Sequence, residues 1–230
     1  IPKGDVVLFH ACCHNPTGMD PTPDQWQIIA ELTQEKGFIP LLDFAYQGFA
    51  RGLEEDTSGI RAFDWEGCEI FVASSYSKNF GLYNERIGAL SMICADSVAA
   101  ENALSHIKAT IRANFSNPPA HGSLIVTKIL EDIQLTKLWL QELTLMRERI
   151  ISMRNLFAKT LKELNVKEDF NFITQQHGLF SFTGLSKEQV EILKNKYSIY
   201  IVGSGRINIS GLTTDNMDRV CGAIAEVLSN

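Results

Sequence analysis

Lys78 is the side chain best placed in this sequence to act as a nucleophile or a base. It stands in Ser75-Tyr76-Ser77-Lys78-Asn79-Phe80-Gly81, directly after the apolar run Ile70-Phe71-Val72-Ala73 and before a glycine turn. A lysine at the mouth of a buried sheet is partly desolvated, which lowers its pKa and makes the neutral amine available. A solvated loop lysine is the bland alternative. Asp43 has a comparable setting. It ends Pro40-Leu41-Leu42-Asp43, so its carboxylate is expected in a region of low dielectric, where it needs a cation or hydrogen-bond donors. A cap on a following helix is the alternative. Tyr46 follows three residues later, within reach of the same place. Asn15-Pro16-Thr17-Gly18 reads as a turn, with Pro fixing φ and Gly relieving strain. Arg86 and Arg206 are candidate anion ligands, because a planar guanidinium makes two parallel hydrogen bonds to phosphate or carboxylate.

Two other constellations compete. Ser75-Tyr76-Ser77-Lys78 fits the S-x-x-K signature of serine hydrolases, with Ser75 as nucleophile and Lys78 as its base, but the S-D-N and K-T-G elements that accompany it do not occur. His10-Ala11-Cys12-Cys13-His14 hints at a soft metal site, yet has neither C-x-x-C spacing nor a second cluster downstream, and no metal is expected.

These residues need elements to hold them. Val6–Phe9 is a short apolar run expected as a strand covered on both faces, followed by a polar loop to Pro23. Asp24 is read as the cap of a helix ended by Gly37. Further strands are expected at Phe38–Phe44, Ile70–Ala73 and Ile87–Cys94. Strands and helices alternating with short loops predict an α/β fold with a mostly parallel sheet, and ligands then bind beyond the carboxyl ends of the strands. Asn15, Asp43 and Lys78 sit where that rule puts a site. Helical patterns follow at Val98–Ile111, Ala120–Leu130 and Leu135–Leu164, the last long enough to bridge two domains near residue 146. After it come a strand at Leu179–Phe182, a helix at Ser186–Tyr197, strands at Ile199–Val202 and Arg206–Ser210, and a helix opened by Thr214. Residues 1–145 are thus predicted as a large domain, and 146–230 as a small α+β domain.

Composition excludes several classes. With 230 residues, 45% hydrophobic and 21% charged, the chain is globular in type. Lys and Arg total 21 against 27 Asp and Glu, a net charge of -6 without a basic stripe, which argues against nucleic acid as a partner. No apolar run approaches bilayer length, so no membrane partner is expected. Five cysteines, two of them adjacent, make a poor disulfide framework and point to a reducing compartment, the cytoplasm or alternatively the mitochondrial matrix.

Taken together, four segments resemble the pyridoxal-phosphate-dependent aspartate aminotransferases: His14–Gly18, Asp43–Phe49, Ser75–Gly88 and Gly205–Leu212, in the right order and at similar spacing over essentially the whole chain. The resemblance implies the fold-type I architecture of these transferases, pyridoxal phosphate as cofactor and a homodimer. It implies that Lys78 holds the cofactor as a Schiff base and shuttles the proton at the substrate Cα. Asp43 would pair with the protonated ring nitrogen, keeping the ring an electron sink. Asn15 and Tyr46 would bond its phenolic oxygen, while Ser75, Ser77 and Arg86 lie at its phosphate. Arg206, with Asn15, would clamp the substrate α-carboxylate and couple binding to domain closure. Ile111–Pro119 resembles the stretch whose arginine crosses the dimer interface to the distal carboxylate of the substrate, which makes Arg112 the candidate for dicarboxylate selection. A buried guanidinium without an anion is penalised, so neutral side chains would be disfavoured. A helix-terminal arginine favouring the dipole is the alternative. Ala113 stands where relatives often carry proline.

The reaction so implied is aspartate plus 2-oxoglutarate to oxaloacetate plus glutamate, by a ping-pong mechanism. An aromatic amino acid aminotransferase of the same subgroup and a truncated, non-catalytic remnant are the alternatives. The family's chain begins well before the strand at Val6, so residues 1–230 are expected to be the carboxyl-terminal part of a longer enzyme, inactive on their own.

Overall fold

A computed structural model describes residues 1–229. The described residues form two compact units. The first comprises Ile1–Cys12, Pro21–Gly48 and Gly52–Leu143; the second comprises Cys13–Asp20, Phe49–Arg51 and the chain from Thr144 onward.

The first unit is built on a four-stranded sheet in the order β1 (Val6–His10), β2 (Ile39–Phe44), β3 (Ile70–Ser75), β4 (Gly88–Ile93). The first three strands run parallel and β4 pairs antiparallel with β3, so the sheet is mixed, with a parallel body. Helix α1 (Pro23–Lys36) connects β1 to β2. Its cap is Thr22, not Asp24: the Thr22 hydroxyl accepts from Gln25 N, the Gln25 side chain returns the bond, and Pro23 opens the first turn, where its missing N–H costs nothing. Asp24 serves the first turn as a negative charge near the positive end of the helix dipole. Gly37 ends the helix in the left-handed region, as expected. Between β2 and β3 lies a short helix α2 (Ser58–Arg61), and Trp26 and Phe63 pack edge-on between it and the sheet.

The two-sided cover expected for the first strand is not found. Val6 and Leu8 are exposed, while Phe9 packs against Trp26 and Phe38, so β1 alternates as an edge strand with one wet face. The apolar core of the sheet is centred on β2 and β3, where Leu42 and Ile70 have no accessible surface. Helices α3 (Ser97–Phe115) and α4 (His121–Glu131) follow β4.

Helix α5 (Ile133–Glu163) contributes residues to both units, the division falling at Leu143–Thr144. The second unit adds a two-stranded antiparallel sheet, β5 (Phe180–Phe182) with β6 (Arg206–Asn208), and helices α6 (Lys187–Tyr197) and α7 (Thr214–Ser229). Phe157 and Leu161 of α5, Leu193 of α6 and Ile224 of α7 are fully buried core residues. Ile199–Val202 is not a strand. Tyr200 and Val202 are exposed and the segment has no ladder partner, so its β-branched composition is overridden by the lack of a surface to pack on. No helix of the described residues is long and apolar enough to cross a membrane.

Candidate active site

Strand direction decides which residues of the first unit gather. The parallel strands deliver the residues that follow β2 and β3 to one edge of the sheet. Because β4 runs the opposite way, the residues that precede it belong to that edge as well. Asp43 and Tyr46 come from the end of β2, Ser75, Ser77 and Lys78 from the end of β3, and Arg86 from the entry to β4.

Lys78 is half-buried, and its Nζ lies 4.7 Å above the centroid of the Tyr46 ring, which is itself 5% exposed. No described carboxylate forms an ion pair with it. Its amine is held by a ring face, a weak partner that leaves it open to chemistry. Asp43 Oδ1 accepts from Ala45 N at 3.0 Å, while Oδ2 has no donor among the described residues. Ser75 Oγ accepts from the N–H of buried Ser77 at 3.2 Å, bending the chain sharply toward Lys78 and keeping the Ser75 O–H available as a donor. Arg86 adopts a left-handed backbone at φ 53°, is exposed, and gives one N–H to Tyr83 O at 3.1 Å. Close pairing of β3 with β4 requires glycine at position 88, where a Cβ would stand 2.5 Å from Ser74 O.

Three further residues of this unit brace the group. Asn79 is 4% exposed and its Nδ2 donates to Gln47 O at 3.4 Å, tying the residue after Lys78 to the residue after Tyr46. Trp139 Nε1 donates to Asn79 O at 2.7 Å, and the indole stacks on Phe80 with ring centroids 4.4 Å apart. Buried Asp56 accepts from Gly48 N at 2.8 Å and Gly52 N at 3.3 Å, fixing the loop beyond Tyr46. Sequence reasoning missed all three. Only the Asn79-Phe80-Gly81 turn pointed to any of them.

In the second unit, Arg206 Nη1 donates to Asn15 Oδ1 at 3.2 Å, and the Arg206 guanidinium lies 4.8 Å above the Phe180 ring. The turn at 15–18 is as the sequence suggests, closed by Gly18 N to His14 O at 2.7 Å, and its Asn15–Pro16 bond is cis. Asn15 thus stands with Arg206 within the second unit. Arg112 is exposed, on a helix none of whose residues is buried.

A family model described as aminotransferase class I and II matches residues 1–224. An aspartate aminotransferase of Escherichia coli (strain K12) is 59% identical over 225 residues, which cover 98% of this chain and 57% of that protein. The aromatic-amino-acid aminotransferase of the same organism is 44% identical over 228 residues, 99% of this chain and 57% of its own length. Among solved structures, the aromatic-amino-acid aminotransferase from Burkholderia pseudomallei covalently bound to pyridoxal phosphate matches with a TM-score of 0.96 at 45% identity, over 99% of this chain and 57% of that one. This chain therefore spans somewhat more than half the length of the proteins it matches, and its α/β fold is theirs over that span.

Proposed function

This chain belongs to the class I and II aminotransferase family, and from that premise we propose that it carries pyridoxal phosphate on Lys78 and moves an amino group between aspartate and 2-oxoglutarate in two half-reactions. The observation that carries the reading is the Lys78 amine, lodged over the Tyr46 ring without an acidic partner among the described residues, at the sheet edge that also holds Asp43, Ser75 and Arg86.

The donor set suits this cofactor. A phosphate needs hydrogen-bond donors and positive charge, which Ser75 and Arg86 offer, with Ser77 beside them. A protonated ring nitrogen needs an acceptor, and Asp43 Oδ2 is one without a donor among the described residues. An aldehyde needs a primary amine, which is Lys78. Bound pyridoxal phosphate supplies the electron sink that makes loss of the substrate Cα proton feasible. Asp43 keeps the ring nitrogen charged, Tyr46 donates its O–H toward the ring oxygen, and Asn15 is the second candidate for that oxygen. Lys78 Nζ takes the proton at the substrate Cα. Arg206, steadied by Asn15 and Phe180, binds the α-carboxylate, and Arg112 of the second subunit of a homodimer takes the distal carboxylate.

The higher identity to an aspartate aminotransferase, 59% against 44%, supports aspartate as substrate, whereas the match to the Burkholderia enzyme keeps aromatic amino acids as the second reading. The test is kinetic, on the protein encoded by its whole reading frame. Lys78→Ala and Arg112→Gln should each lose aspartate turnover, and co-expression of the two should restore about a quarter of the sites, since half the dimers are mixed and each holds one complete site. A kcat/KM for phenylalanine above that for aspartate would favour the aromatic reading. No transamination of either by the cofactor-loaded protein would overturn both.

A further inference from the structure

Arg154 of α5 is among the most completely buried large side chains of the described residues, at 1% exposure, and it lies outside the proposed cofactor and substrate contacts. Its guanidinium has no carboxylate partner within ion-pair distance among the described residues. Instead Nη2 donates to Gly178 O at 2.6 Å, Phe180 O at 2.9 Å and His177 O at 3.3 Å, while Nη1 donates to Ser181 Oγ at 2.5 Å and Ile173 O at 3.3 Å. Burial pushes its pKa down to about 10, so it stays cationic at neutral pH. A buried charge whose hydrogen bonds go to neutral acceptors, with the Asp20 carboxylate acting on it only from beyond ion-pair distance, is costly, and it persists where it organises something.

What it organises is the segment under the Asn15–Arg206 pair. Phe180, whose carbonyl it holds, is the ring on which the Arg206 guanidinium rests. His177, whose carbonyl it also holds, donates its N–H to Gly18 O at 2.8 Å. Gly18 lies so close that a Cβ there would be 2.8 Å from Phe180 O and 3.0 Å from His177 O. The other end of that turn is fixed by Asp20, whose two oxygens accept from Cys13 N and His14 N, each at 2.8 Å. One guanidinium therefore sets the height of both supports: the ring beneath Arg206 and the turn that bears Asn15.

We propose that Arg154 is a positioning residue for the carboxylate clamp, setting the affinity of Arg206 for the substrate α-carboxylate through Phe180 and the Asn15–Gly18 turn. Lysine cannot replace it, because a single ammonium cannot spread its donors over acceptors that a planar fork reaches at once. The inference rests on the assignment of Arg206 to the α-carboxylate, and the test separates the two. In the cofactor-loaded protein, Arg154→Lys should raise KM for both the amino acid and the oxo acid about tenfold, with kcat changed less than about threefold. Reaction with the corresponding amine, which lacks the α-carboxylate, should be unaltered, as should the cofactor absorption band. Ser181→Ala, which removes one acceptor and keeps the charge, should raise the same KM values roughly threefold and serves should Arg154→Lys fail to fold. Arg206→Gln is the reference. If it leaves KM unchanged, the clamp assignment fails. If it raises KM while Arg154→Lys and Ser181→Ala do not, or if those two slow the amine equally, only the role of Arg154 is overturned.

Discussion

Asp43 commits one carboxylate oxygen to the Ala45 N–H and has the other without a donor among the described residues, an arrangement that fixes the side chain while sparing an acceptor. A negative charge beside a ring nitrogen raises the nitrogen's pKa by about 1–3 units, so the ring stays protonated at neutral pH. Asp43→Asn keeps the shape and removes the charge. We expect a loss in kcat of about a hundredfold or more, with cofactor still bound, and a titration of the cofactor spectrum displaced to lower pH. Unaltered kcat would remove Asp43 from the chemistry. The placement of Asp43 and Lys78 at one edge of the sheet was legible in the sequence, because Asp43 closes one apolar run and Lys78 follows another. Arg154 was not singled out, although a signal was present: it falls in register with Ile150, Phe157 and Leu161, on the buried stripe of α5. A charged residue on such a stripe must have acceptors nearby, but which ones depends on segments distant in sequence.

At the scale of elements, α7 packs its apolar face through Met217, Cys221, Ile224 and Val227. Burial, with Asp218 as a smaller cause, pushes the Cys221 thiol from 9.0 up to about 12. The unfolded thiol ionises at the lower value and the folded one at the higher, so between them the native state binds more protons and the free energy of unfolding falls as pH rises. Urea unfolding of Cys221→Ala should show a shallower decline over that window than the parent protein, whereas below it the two should run parallel. Equal slopes above pH 9.0 would show that the thiol titrates normally in the fold. The strands β2 and β3 and the long helix were readable from apolar runs and helical periodicity. Misreadings arose where a bonding partner, near or far, decides against composition. Thr22 outcompetes Asp24 as cap because the return bond comes from Gln25, and Ile199–Val202 has strand composition without a strand to pair with. The wet face of β1 was equally hidden, since an edge position is a property of the sheet and not of the run.

For the molecule as a whole, a net charge of -6 sits oddly with binding anionic cofactor and substrates. The proposed sites resolve this by placing guanidinium groups locally: Arg86 at the entry to β4, Arg206 over Phe180 and Arg112 on α3. Electrostatic focusing at a few positions, against the overall sign, is enough for small anions. Arg112 is exposed on a helix without buried residues, and its proposed role in a second subunit's site is what the resemblance of Ile111–Pro119 implies. The claim on which the rest depends is that Lys78 is the residue to which pyridoxal phosphate becomes attached. The most direct measurement is to load the protein with the cofactor, reduce with borohydride and locate the modified residue by peptide mass spectrometry. The expected result is a single phosphopyridoxyl group on Lys78, with none attached in Lys78→Ala; attachment to a different lysine, or no attachment at all, would contradict it.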